Sequence, residues 1–133
     1  MDESPAGTAG PRPGLRPLVV KVTCGVEAVE RLSQAFTVAA TAALAGAPVS
    51  VWLTGEAVWL AVPGRAEDVE LAHSTPLAAL RDDLLDAARI TACTQCAARR
   101  GLAAQDLLPG IQIRGSASFV EEVLGAQAQA LVY

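Results

Sequence analysis

Apolar positions along the chain fall into short continuous runs separated by longer stretches of helical period. Leu18 to Thr23 (Leu-Val-Val-Lys-Val-Thr) is a β-branched apolar run ending in Cys24-Gly25, the pattern of a strand covered on both faces. Val26 to Gly46 repeats apolar residues at Val29, Leu32, Phe36, Ala40 and Ala43, which predicts a helix with Glu27, Glu30, Arg31 and Gln34 on its wet side. The second half of that helix is apolar almost all round. This predicts burial by more than one neighbour, with another subunit among the candidates.

Pro48 releases a second predicted strand, Val49 to Leu53, which contains Trp52 and ends at Thr54-Gly55-Glu56. Ala57 to Ala61 reads as a short helix carrying Trp59, and Pro63 to Ser74 as a polar connection holding the only histidine, His73. Thr75-Pro76 offers a helix start, an N-cap followed by proline at the first helical position. The helix that follows buries Leu77, Leu80, Leu84 and Ala88 and turns Arg81, Asp82, Asp83 and Asp86 outward. A third strand, Arg89 to Ala92, leads through Cys93 into a helix that ends before Gly101. Gly110 precedes a fourth strand, Ile111 to Arg114. Ser118 and Glu121 have the spacing of a capping box for a helix burying Phe119, Val120, Val123 and Leu124. Gln129 to Tyr133 is the last strand.

Strands alternating with helices throughout predict a three-layer α/β/α sandwich on a five-stranded, mostly parallel sheet. In such sheets binding and chemistry collect at the carboxyl ends of the strands. The tips here are Cys24-Gly25, Thr54-Gly55-Glu56, Cys93 and Arg114-Gly115-Ser116, so two of the three cysteines fall on one edge.

Composition sharpens this picture. The 133 residues are 52% hydrophobic but only 4% aromatic, so the core is built from Ala, Val and Leu. The length suits one domain, over 18–133. Residues Met1 to Pro17 are rich in Pro, Gly and small polar side chains and read as a disordered tail. A net charge of −4 without a basic block argues against nucleic acid and against an acidic membrane surface. The Ala35–Ala47 run is too short to cross about 30 Å of hydrocarbon, and the N-terminus lacks the pattern of a secretory signal. The expected location is therefore the cytoplasm, where three cysteines read as reactive or buried thiols before structural disulfides.

The candidate chemistry centres on Cys93. A thiol at a strand-to-helix turn meets free backbone N–H groups and the positive end of the helix dipole, and both favour the thiolate. The helix contributes at most about 1–2 kcal/mol, or about one unit from an ordinary thiol pKa of about 8.5. Cys96 follows one turn later and reads two ways, as a resolving thiol within disulfide reach or as a core side chain beside Ala97. Arg99 and Arg100 lie about two turns from Cys93, too far for direct contact with it. Cys24 reads as a buried strand-end thiol. His73 with the cysteines could complete a zinc site by residue type alone. Glu56 reads as solvated, and Trp52 and Trp59 as core or subunit interface. There is no glycine-rich phosphate loop and no serine–histidine–acid set.

At Cys93 the chain resembles the DsrE/DsrF-like family of small sulfur-relay proteins. Three places carry the resemblance, which spans about residues 18 to 133. They are the opening strand with its long Ala-rich helix, then Cys93 followed by Arg99-Arg100-Gly101, and the ending Gly110-Ile111-Gln112-Ile113-Arg114-Gly115 before a helix and a terminal strand. The resemblance implies that Cys93 takes the family's persulfide-carrying position. Cys96, which creates a C-x-x-C, is an addition relative to the family's relay subunit that carries the active cysteine. It further implies sulfur donor and acceptor proteins as partners, a homo- or hetero-oligomer, and chemistry that needs neither a metal nor an organic cofactor. Two other functions fit the residues: a thiol–disulfide or peroxide-reducing protein using Cys93 and Cys96, and a non-catalytic interaction subunit.

Overall fold

The computed structural model describes residues 14–133. The tail read over Met1 to Pro17 lies, through residue 13, outside the described residues. The apolar runs form five strands: β1 (Leu18–Val22), β2 (Val49–Leu53), β3 (Arg89–Cys93), β4 (Gln112–Arg114) and β5 (Gln129–Val132). All four pairings are parallel, in the order β4-β3-β2-β1-β5. The helices are α1 (Val29–Leu44), α2 (Leu77–Ala87), α3 (Thr94–Arg99) and α4 (Ser116–Val123), with 3₁₀ segments at Val26–Ala28, Gly55–Ala61, Ala66–Asp68 and Ala104–Asp106.

Topology dictates the layers. The steps β1 to β2, β2 to β3 and β3 to β4 all move the same way, so right-handed crossovers put α1, α2 and α3 on one face. The return from β4 to β5 runs the opposite way and puts α4 alone on the other face. Register makes the two faces chemically different. Val20, Val22, Val51, Leu53, Ile90 and Ala92 point to the α1–α2 side and join Leu32, Phe36, Ala39 and Leu84 in one buried cluster. Each large side chain buried there contributes roughly 1.5–3 kcal/mol. The opposite face carries Lys21, Ser50, Trp52, Arg89 and Thr91 in adjacent register positions.

That polar face explains how α4 is seated. Glu122, whose side chain is only 13% exposed, accepts hydrogen bonds from the Ser50 hydroxyl at 2.6 Å and the Trp52 indole at 2.9 Å. Arg89 donates to its second oxygen at 3.1 Å, and Arg114 stands 3.5 Å from that oxygen. Phe119 meets Trp52 edge to face with ring centroids 5.5 Å apart. Four neighbours thus satisfy one nearly buried carboxylate, as its desolvation requires.

Several expectations change. The capping box read at Ser118 and Glu121 is not formed: α4 starts three residues earlier than that box requires, with Gly115 at the N-cap. Of the side chains expected beneath α4, Val120 and Leu124 are exposed, because the sheet face below is polar and the helix turns Glu122 inward. Leu77 opens α2, so Pro76 is its N-cap and no side chain caps it. Arg81, expected on the outside, is 5% exposed; Glu67 holds it bidentately at 2.8 and 2.9 Å, and Asp82 at 3.0 Å. The outer stripe of α1 is formed by Gln34, Thr37, Thr41 and Leu44, while its inner side packs on α2 and the sheet. Pro17 accepts a hydrogen bond from the Gln129 amide at 2.9 Å, and Arg16 donates to the Gln127 carbonyl at 3.0 Å.

Candidate functional site at the carboxyl edge of the sheet

The site is assembled from the tips of β1, β2 and β3, and two glycines decide how closely they pack. A Cβ on Gly25 would stand 2.7 Å from the Glu56 carbonyl oxygen, and one on Gly55 would stand 2.9 Å from the Thr23 carbonyl oxygen. Gly55 also has φ +54°, which side chains rarely adopt. The first two tips interlock backbone to backbone, and this fixes Glu56 beside α3.

Glu56 is not the freely solvated carboxylate the sequence suggests. Arg100 donates to it through Nε at 2.9 Å and approaches it through Nη2 at 2.8 Å. Through Nη1 the same guanidinium donates to the Cys96 carbonyl at 3.0 Å. Arg100 thereby clamps the C-terminal end of the six-residue α3 to the tip of β2. Arg99 is exposed. Gly101 follows with φ +68°, the left-handed geometry that ends helices.

Cys93 ends β3 and is the N-cap of α3, with extended φ −66° and ψ 129°. Strand alternation puts Arg89, Thr91 and Cys93 on the α4 side, in register with Arg114 of β4. The thiol is partly exposed. Burial pushes it up, but the Cys96 N–H, the Cys96 side chain, the Gln95 N–H and the Lys21 charge outweigh that, so it sits below its ordinary value. No side-chain capping hydrogen bond is closed at this N-cap, so the amides act on the sulfur mainly as oriented dipoles. The Lys21 ammonium also lies 5.0 Å from the centroid of the Phe119 ring. Lys21 is the one charged residue in the first apolar run, and nothing in that run marks it as a neighbour of Cys93.

Cys96 is buried at 9% exposure, on the inner side of α3 and in reach of the Cys93 sulfur. It joins the core cluster, as the core reading expects, and its side chain lies close enough to Cys93 to help lower that thiol. Cys24 is not brought to them. It sits at the tip of β1, two interstrand spacings or about 10 Å from β3, and is 2% exposed on the α1 side. Burial pushes its thiol up, the Glu27 carboxylate adds to that, and Arg31 offsets only part.

His73 lines a hollow with Glu30, Ser33, Gln34 and Tyr133, and no group of three or more His, Cys, Asp or Glu side chains fit to hold a metal occurs among the described residues. Trp52 is core, whereas Trp59 is half-buried with the Arg65 guanidinium 4.2 Å above its ring. Among the described residues, the Thr91 hydroxyl is the buried side-chain polar group left without a hydrogen-bond partner. No described helix is long and apolar enough to cross a membrane.

The fold has solved counterparts. The YchN protein of E. coli superposes with a TM-score of 0.72 at 16% identity, over 90% of this chain and 99% of that one. MTH1491 of Methanobacterium thermoautotrophicum, a protein of unknown function, gives 0.60 at 15% identity over 90% and 99%. BT1422 of Bacteroides thetaiotaomicron, also of unknown function, gives 0.59 at 18% over 89% and 95%. Comparison with curated proteins finds no match. The model of the DsrE/DsrF-like family matches residues 18–129, nearly the whole of the sheet and its helices, and the chain belongs to that family.

Proposed function

We propose that this protein is a sulfur carrier in a relay, with Cys93 accepting a sulfane sulfur and passing it on. The observation that carries this reading is the setting of Cys93. It is a partly exposed thiol at the carboxyl edge of a parallel sheet, held below its ordinary value by two amides, a neighbouring thiol and Lys21. The thiolate attacks the outer sulfur of a donor persulfide and the donor thiolate leaves. An acceptor then attacks the outer sulfur on Cys93, and the stabilised Cys93 thiolate is a good leaving group. Neither step calls for a metal or an organic cofactor.

The partners are a donor and an acceptor protein, and the setting is a reducing compartment such as the cytoplasm, which keeps the thiols free. Exposed Val120 and Leu124 on α4 and its C-cap, with Val132 on the same face of β5, support a second protein chain, the same or different, covering that side. Light scattering on the purified chain measures this; a monomer at all concentrations, with no partner subunit, would oppose it.

The carrier role is tested by treating the reduced protein with inorganic polysulfide, alkylating, and mapping the added sulfur. The expected result is one extra sulfur on Cys93, retained in Cys96→Ser and lost in Cys93→Ser. An alkylatable Cys93 that never gains sulfur would sink the reading. The reach of Cys96 to Cys93 favours a second one, a thiol–disulfide or peroxide-reducing protein, in which loading is absent and a disulfide needing both cysteines forms.

A further inference from the structure

We infer that Cys96 is a discharge thiol: a sulfur on Cys93 that no acceptor collects is released as hydrosulfide, leaving a Cys93–Cys96 disulfide. This rests on the carrier reading, and it adds a fate for the cargo and a limit on its lifetime.

Helix register brings the two thiols together. Cys93 is the N-cap and Cys96 the third helical residue of α3. Helix geometry sets their Cα atoms about 5 Å apart, within the roughly 4.4–6.8 Å that a disulfide spans. Arg100 fixes the backbone of Cys96 by donating to its carbonyl at 3.0 Å while gripping Glu56. The turn bearing the second thiol is thus tied to the sheet.

Burial decides which sulfur is attacked. Cys96 lies inside, and Cys93 is partly exposed, so a second sulfur added to Cys93 projects to the solvent side. Cys96 approaches from the buried side, so it attacks the inner sulfur and the outer sulfur is the leaving group. An acceptor arriving from solvent meets the outer sulfur instead. One persulfide therefore has two exits, chosen by the direction of attack.

The chemistry balances. The Cys96 thiol gives its proton to solvent and attacks the Cys93 sulfur. The bond from Cys93 to Cys96 forms, the bond to the outer sulfur breaks, and that sulfur departs with the electron pair as hydrosulfide. The sulfane sulfur is reduced by two electrons and the two thiols are oxidised to a disulfide. A dithiol reductant then restores both thiols by ordinary exchange, becoming a disulfide itself.

The experiment loads the reduced full chain with inorganic polysulfide, removes the excess by rapid desalting, and follows intact mass and hydrosulfide together. In wild type the species heavier by about 32 Da should decay to one lighter by about 2 Da than the reduced chain, with one equivalent of hydrosulfide. Cys96→Ser and Cys96→Ala should load equally and hold the sulfur at least about ten-fold longer. If both variants load and wild type keeps its sulfur as long as they do, the discharge inference is overturned and the carrier reading stands. If neither variant loads while Cys93 still alkylates, both are overturned.

Discussion

Arg100 holds Glu56 at 2.8 Å and, with the same guanidinium, the carbonyl of Cys96 at 3.0 Å. The pair joins the far end of α3 to the tip of β2, so a residue seven positions after Cys93 helps fix the amides in front of it. Arg100→Ala should lower the alkylation rate of Cys93 at pH 7 by about two- to five-fold. The global stability loss should stay under about 1 kcal/mol, since the Glu56 carboxylate is half exposed and screened by solvent. Iodoacetamide kinetics beside urea unfolding check both; unchanged kinetics would show that α3 holds its place without the clamp.

Lys21 contributes positive charge to the Cys93 thiolate from β1, two strands away on the same face of the sheet. Replacing it by methionine keeps the bulk and removes the charge. Loss of a cation disfavours the thiolate, so the pH midpoint of Cys93 alkylation should move up, toward that of an ordinary thiol. Alkylation-rate profiles from pH 5 to 10 on wild type and Lys21→Met measure the shift, and a midpoint that stays put or falls would contradict it.

Gly25→Ala should cost about 1–3 kcal/mol, because the new methyl would meet the backbone of Glu56 at 2.7–3.0 Å, and backbone gives way little. The φ of Gly25 is −118°, outside the left-handed region, and the close approach of Glu56 carries the penalty. Urea midpoints measure it. A neutral substitution would mean that the two strand tips separate freely.

Acid stability should depend on Glu67. Its carboxyl is drawn down to about 2, chiefly by hydrogen bonds from Arg81. A carboxyl lowered on folding stabilises fully above its unfolded value of about 4.3, and this contribution fades as the pH falls from there through about 2. Glu67→Gln should flatten the fall in stability over that window while changing the slope little near pH 7. Urea titrations at pH 2.5 to 7 measure it, and a Gln variant with the wild-type acid slope would refute the assignment.

The sequence made the strands legible because each is a short apolar run closed by a turn signal, and the Cys93 site because a strand-to-helix turn is itself a sequence pattern. What it concealed depends on distant pairing. Arg81 sits among three aspartates in the helical pattern and reads as solvated, yet Glu67, fourteen residues earlier, brings it inside. Val120 and Leu124 read as core because periodicity marks a stripe without saying what it meets. The sheet beneath presents Ser50, Trp52 and Lys21, so a glutamate turns inward and the aliphatic residues turn out. Ser118 and Glu121 keep the spacing of a cap, but Gly115 starts the helix before they can form one.

The strand order has a consequence for how the chain is made. Synthesis lays down β1, β2, β3 and β4 as successive neighbours moving away from β1, and only residues 129–132 return to close its other side. Until they emerge, the buried strand Leu18–Val22 has an open flank, a template on which the edge of another nascent chain can pair. The residues of the thiol-bearing edge are thus translated before β5, the strand that covers the flank of β1 and protects it from misassembly.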